Sequence, residues 1–136
     1  MENTVQKKDL LHPDLSYKII GCAFEVFNQI GSGHKEVVYH KALTIEFANR
    51  KLNFREEVYF PVAFNGVVVG RNYFDFLIDD KIIVEIKSLS KFSKANFDQT
   101  KNYLTVSGLK LALLINFGND GVQCKRVVNF KVLNTD

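Results

Sequence analysis

The feature that most constrains the fold is an apolar stretch at residues 73–89, YFDFLIDDKIIVEIKSL. Successive side chains of a β-strand point to opposite faces, so alternate apolar positions predict a strand with one buried face. Outside the polar segment at 79–81, three charged residues interrupt this pattern, and charged groups are seldom fully buried unless they are paired or serve a site. The apolar positions form two rows, Phe74, Phe76 and Ile78, then Ile82, Val84 and Ile86, and the charged residues are Asp75, Glu85 and Lys87.

The turn between the two rows determines their register. A three-residue turn at 79–81 opposes Ile78 to Ile82 and keeps both apolar rows on one face, whereas a two-residue turn mismatches them. In that register Asp75 lies directly opposite Glu85, and the Cβ atoms of the two acids are roughly 5 Å apart on the same face. Like charges in this arrangement destabilise a strand pair.

Lys87 lies two residues beyond Glu85 on the same face and supplies one cation for two anions. A divalent cation would complete the compensation, and carboxylate oxygens are ligands that Mg²⁺ and Mn²⁺ prefer. The alternative is a solvated hairpin face on which Lys87 bridges both acids. The other residues of this face, Tyr73, Leu77 and Ile83, are apolar, which indicates that a helix covers the face and favours the metal site.

The rest of the chain predicts elements in the order ααββββαββ, and therefore an α/β (α+β) domain with a mixed central β-sheet flanked by helices. Apolar residues at helical spacing predict helices over 15–30, 35–51 and 94–107. Pro61 indicates that the first strand is an edge strand or is irregular at that point. The strands are predicted at 55–64, 67–73, 73–78, 82–87, 109–117 and 122–130.

Composition restricts the class of protein. A chain of 136 residues, 46% of them apolar, is sufficient for one globular domain with a real core. We expect a flexible N-terminal arm at 1–12 and a single domain at 13–136. Cys22 and Cys124 lie far apart without zinc-ligand spacing, which indicates reduced thiols in a cytoplasmic protein. From the polar N-terminal residues and the lack of a long apolar run, we expect neither a signal peptide nor a membrane-spanning segment.

Two motifs resemble a known group of proteins. Asp75 followed by Glu85-Ile86-Lys87 resembles the acid and (D/E)xK pattern of the PD-(D/E)xK nuclease superfamily. GHKEVVY at 33–39 resembles the signature of the GxxExxY protein family, a small bacterial and archaeal branch of that superfamily. The resemblance continues from about residue 15 to residue 130, through IIGCAFEVFNQIGSG (the opening helix), QTKNYL (a QxxxYL motif) and LKLALLINFG (the closing strand).

The resemblance implies a restriction-endonuclease-like αβββαβ core and a metal-dependent nuclease that hydrolyses phosphodiester bonds of DNA or RNA. It implies that Asp75 and Glu85 bind Mg²⁺ or Mn²⁺, with Glu36 as an additional carboxylate near the metal. Lys87 would position the attacking water or stabilise charge on the phosphate. Gln99 would orient Lys87 or the substrate. The literal Pro-Asp pair of the superfamily name is absent, since a phenylalanine precedes Asp75.

Other features leave alternatives open. Lys91, Lys94 and Lys101 follow the motif and are candidates for binding nucleic-acid phosphates, although a lysine-rich segment is more often a solvated face. A homodimer would let so small a chain cut both strands of a duplex. The histidines, His40 among them, are expected at the surface. A catalytically silent nucleic-acid- or protein-binding module that retains the nuclease fold is the alternative function, and a purely structural salt-bridge cluster is a third.

Overall fold

The structure is a computed structural model that describes residues 11–133, with only the backbone described for the last two of these. The predicted flexible arm at 1–12 therefore lies almost wholly outside the described residues. Residues 11–133 form helices and strands in the order ααβββαββα. They are α1 (Pro13–Ile30), α2 (Glu36–Asn49), β1 (Phe54–Phe64), β2 (Val67–Ile78), β3 (Ile82–Lys87), α3 (Lys94–Ser107), β4 (Leu111–Phe117), β5 (Val122–Val128) and α4 (Phe130–Leu133).

The strands form one mixed sheet in the order β1-β2-β3-β4-β5. The pairing of β3 with β4 is parallel and the other pairings are antiparallel. Helices α1 and α2 pack on one face over a large apolar cluster, and α3 packs on the other face over a smaller one. Both faces of β3 and β4 are thus covered, which explains their almost continuous apolar sequence. The predicted mixed sheet with flanking helices is confirmed.

The segments predicted as separate strands at 67–73 and 73–78 are one strand, β2, so three strands rather than four precede α3. Nothing interrupts the strand where the two segments meet, because Asn72, Tyr73 and Phe74 all pair with β1. The expected irregularity at Pro61 is confirmed: β1 is an edge strand, and its register shifts between Val62 and Ala63. No helix in the described part of the chain has both the length and the apolar character needed to cross a membrane.

The turn at 79–81 has the predicted length. Asp79 and Asp80 both have positive φ, and the Lys81 amide donates a hydrogen bond of 2.9 Å to the Ile78 carbonyl. Ile78 pairs with Ile82, so the predicted register of the two strands is confirmed at this end of the hairpin.

The predicted apolar row of β2 is wrong at Phe74. Phe76 belongs to the cluster under α1 and α2, whereas Phe74 belongs to the cluster under α3. The β1–β2 ladder omits the pair Glu57–Asp75, and Glu57 has a left-handed backbone with φ 51°. Val58, directly after Glu57, likewise packs against the α3-side cluster. The β1–β2 ribbon therefore exchanges its two faces at Glu57 and Asp75, and this position is called the face switch below.

Candidate active site

The carboxylates of Asp75 and Glu85 each accept a hydrogen bond from a main-chain amide of the other's strand. The Asp75 amide donates to Glu85 Oε2 at 2.7 Å, and the Ile86 amide donates to Asp75 Oδ2 at 2.8 Å. The main-chain ladder between β2 and β3 comprises only the pairs from Phe76–Val84 to Ile78–Ile82. The sequence predicted two acids opposed in a regular ladder. Instead, the two carboxylates accept from main-chain amides of β2 and β3, the ladder ends at Phe76–Val84, and both side chains are held in place.

Burial makes the ionised form of this acid pair unfavourable. Glu85 is only 4% exposed, and burial, followed by the charge of Asp75, raises the pKa of Glu85 to about 8. Burial also raises the pKa of Asp75, against the opposing effect of the Ile86 amide. Lys87 lowers the pKa of both acids but forms no ion pair with either one in the described part of the chain. Within residues 11–133, no lysine or arginine thus pairs directly with either acid.

Glu36 is the first residue of α2 and faces the same acids. The residue as a whole is exposed, yet partial desolvation of its carboxyl, followed by the charge of Asp75, raises its pKa. Lys87 opposes this rise. The structure thus brings four residues expected from the sequence, Glu36, Asp75, Glu85 and Lys87, within electrostatic range of one another.

An open cleft of about 720 Å³ lies between α2 and the β1–β2 ribbon. Its most acidic wall comes from Glu56 and Glu57 of β1, which had not been expected in the site. Residues of α2, β1 and β2 line it: Glu36, Val37, His40, Lys41, Glu56, Glu57 and Asp75.

His40 lies inside this cleft rather than on the open surface, where it was expected. Its side chain is 15% exposed and its ring stacks on Phe76 with centroids 4.3 Å apart. Its Nε2 lies 3.0 Å from Glu56 Oε1 and 3.8 Å from Glu57 Oε2. His40, Glu57 and Asp75 each offer one ligand atom, and these atoms lie within 4.8 Å of one another. Together they form a second donor set that shares Asp75 with the first.

A sequence signal for His40 exists, because residues at i and i+4 share a helix face and His40 follows Glu36 by four. No comparable signal exists for Glu57. Its carboxylate reaches the cleft through the left-handed backbone at the face switch, and a glutamate, unlike a glycine, gives no indication of such a conformation.

Gln99 is exposed on α3, one turn before Tyr103. Burial, followed by the charges of Glu85 and Asp75, raises the pKa of Tyr103 to about 12, so this part of α3 approaches the acids. Gln99 itself is not among the residues that line the cleft.

The three lysines proposed for phosphate contacts are exposed and lie on α3 or just before it. Lys94 pairs with Asp98 at 2.7 Å, and the Lys101 ammonium lies 5.7 Å from the centroid of the Phe97 ring. None of the three lines the cleft, so any contact they make with a substrate would be outside the acid cluster.

A mixed sheet that carries an acid on one strand, Glu-x-Lys on the next and a further acid on the preceding helix is the arrangement of a nuclease-like domain. The family model of the PD-(D/E)XK nuclease superfamily matches residues 13–127, and the chain belongs to this superfamily.

The crystal structure of SSO0001 is similar in fold, with a TM-score of 0.55 and 16% sequence identity. The match covers 71% of this chain and 53% of that chain, so the protein spans about half the length of that structure. No curated protein matches the chain at a significant level.

Proposed function

We propose that the protein is a divalent-metal-dependent nuclease of the GxxExxY branch, hydrolysing phosphodiester bonds of DNA or RNA. The crossed hydrogen bonds of Asp75 and Glu85 carry the proposal. They hold two carboxylates together beside an open cleft, although burial raises the pKa of both acids. Burying two acids side by side has an electrostatic cost that a purely structural hairpin face does not need.

The residues present fit a divalent cation. Asp75, Glu85 and Glu36 supply hard oxygen donors, and His40 and Glu57 add two more ligand atoms at the same acid. A carboxylate-dominated set of this kind suits Mg²⁺ or Mn²⁺. When bound, the ion would polarise a phosphoryl oxygen and acidify a water molecule.

The chain's own residues would do the remaining work. The two amides that donate to Asp75 and Glu85 orient the carboxylates before substrate arrives, which limits reorganisation during the reaction. Lys87 forms no short ion pair in residues 11–133, so its ammonium group is free to bind a phosphate oxygen and stabilise the charge that develops there. Gln99 would orient Lys87 or the substrate from α3.

The lysines near α3 would bind the substrate away from the reacting phosphate. Lys91, Lys94 and Lys101 are exposed, and neutralising phosphates with them would make binding depend on salt concentration. Substituting each of them by glutamine should then reduce the steepness of that salt dependence without changing metal affinity.

The test is cleavage of labelled single- and double-stranded DNA and RNA with Mg²⁺ or Mn²⁺. Glu85→Ala and Lys87→Ala should abolish cleavage, while Lys81→Ala, which removes an exposed lysine from the adjacent turn, should leave it unchanged. Calorimetric titration should show metal binding by the parent and its loss in Glu85→Ala. If the Glu85 and Lys87 variants cleave as the parent does, the catalytic assignment is wrong.

A further inference from the structure

Beyond the face switch, β1 and β2 continue as a two-stranded ribbon. In the described part of the chain, β2 pairs with β3 only from Phe76 to Ile78, so the ribbon before Phe76 pairs with no third strand. One face carries Phe60 and Phe74, which belong to the cluster under α3. The other face carries Tyr59 and Tyr73, which are 45% and 50% exposed and whose ring centroids lie 5.3 Å apart.

The two tyrosines lie on the same side of the sheet as the cleft. Phe74 contacts Tyr103 of α3, and neighbouring side chains of a strand point to opposite faces, so Tyr73 faces away from α3 and toward the side of α2. Tyr73 precedes Asp75 by two residues and Tyr59 follows Glu57 by two, which corresponds to about 7 Å along each strand. The tyrosine pair therefore continues the wall of the cleft.

Arg71 adds a positive charge to this surface. It is exposed, and it precedes Tyr73 by two residues, so it belongs to the same face of the ribbon. A guanidinium beside exposed aromatic rings suits a ligand that alternates phosphates with flat rings, because phosphate pairs with arginine and bases stack on aromatic side chains.

An exposed cross-strand tyrosine pair also occurs simply as a stabilising contact of a hairpin. Its position favours a binding role here, because the two exposed rings lie between the acidic cleft and Arg71 on one face of the ribbon. A duplex stacks its own bases and would not present them to these rings.

We propose that Tyr59 and Tyr73 form a stacking platform for unpaired bases, with Arg71 holding the adjoining phosphate. The substrate is then single-stranded nucleic acid, or the unpaired segment of a longer one, and the strand passes from the platform to the cleft. The role of the platform in cleavage rests on the proposed function, whereas binding of bases to it does not.

The test measures binding in a chelator, where metal-dependent cleavage does not occur. Fluorescence anisotropy of labelled oligothymidylate and oligouridylate, alone and annealed to their complements, gives the affinities and separates DNA from RNA. The chain has five tyrosines and no tryptophan, so its intrinsic emission is tyrosine emission, and base stacking on the pair should quench it more in the parent than in variants that lack one of the two rings. The parent should bind the single strands more tightly than the duplexes.

Variants identify the rings responsible. Tyr73→Leu, which keeps apolar bulk but removes the ring, should weaken single-strand binding roughly tenfold, and Tyr59→Leu should do the same. Tyr73→Phe keeps the ring and should retain binding. Tyr17→Leu is the matched control, because Tyr17 is 80% exposed on α1 and does not line the cleft. Arg71→Gln should reduce the salt slope by about one, whereas the tyrosine variants should not.

Several results would overturn the proposal: equal affinity for single strands and duplexes, unchanged affinity in both leucine variants, or a change of oligomeric state in those variants with unchanged oligonucleotide affinity. The last result would make the face a protein interface. Tyrosine-dependent binding by a protein that never cleaves would contradict only the proposed nuclease activity. Cleavage with tyrosine-independent binding would contradict only the platform.

Discussion

Replacing Glu85 by glutamine should stabilise the metal-free protein at pH 8. Burial and the charge of Asp75 raise the pKa of Glu85 from 4.5 to about 8. The folded state therefore binds this proton more tightly than the unfolded state, and the stability of the parent falls as the pH rises from about 4.5 to about 8. Glutamine cannot ionise, and its carbonyl oxygen still accepts the hydrogen bond from the Asp75 amide.

The magnitude follows from the same shift. At roughly 1.4 kcal/mol per pH unit, ionised Glu85 lowers the free energy of unfolding on the order of 4 kcal/mol at pH 8 and less than about 1 kcal/mol at pH 5. Small domains unfold with about 5–15 kcal/mol, so the effect at pH 8 is a large fraction of total stability. The gain from Glu85→Gln should therefore be large at pH 8 and small at pH 5.

Urea unfolding in a chelator at both pH values measures this difference. The midpoint should rise at pH 8 without a change in the slope that reports exposed surface. Glu25→Gln, which alters an acid on α1 outside the cleft lining, serves as the control and should change stability little at either pH. A gain of the same size at pH 5 and pH 8, or no gain at pH 8, would refute the electrostatic reasoning.

Three further perturbations test other parts of the site and fold. Glu57→Gly should raise the free energy of unfolding by about 0.5–1 kcal/mol, because glycine accepts φ 51° without strain, and it should also weaken metal binding. Lower stability in urea unfolding, or unchanged metal affinity in calorimetry, would contradict this. Asn116→Ala should lower stability by about 2 kcal/mol, because the buried Asn116 side chain loses its two hydrogen bonds with the Leu89 amide and carbonyl, and exposed Asn102→Ala is its control in the same unfolding assay. Mn²⁺ at a hundred times its dissociation constant should stabilise the parent by about 2.7 kcal/mol at pH 8, and an equal gain in Asp75→Asn would show that the ion binds elsewhere.

The regular parts of the fold were predictable because local patterns determine them. The alternation in β3 and the short polar segment at 79–81 determined the register of the hairpin, and the glycine after α3 marked the end of that helix. Pro61 correctly indicated an edge strand, since proline removes a ladder donor. These signals act within a few residues of one another and are visible in the sequence.

The parts that were missed depend on contacts between distant residues. Phe74 continues the apolar alternation of β2, so nothing in the sequence shows that it lies on the other face. That placement follows from the left-handed backbone at Glu57, which lies in another strand. His40 was expected at the surface because its i, i+4 spacing from Glu36 was not used; the stacking on Phe76 and the approach of Glu56 place it in the cleft.

The parallel pairing of β3 with β4 has a consequence for the order of events during folding. Asp75 and Glu85 meet in a hairpin closed by a three-residue turn, a local contact that needs little loop closure. The remaining surroundings of Glu85, which are Tyr103 of α3 and the paired strand β4, come from later parts of the chain. The electrostatic penalty thus arises late, after the two acids are already neighbours in a solvated hairpin. Ionisation of the site should accelerate unfolding more than it slows folding. A chevron plot measured at pH 8 should therefore differ from one measured at pH 5 mainly in its unfolding arm.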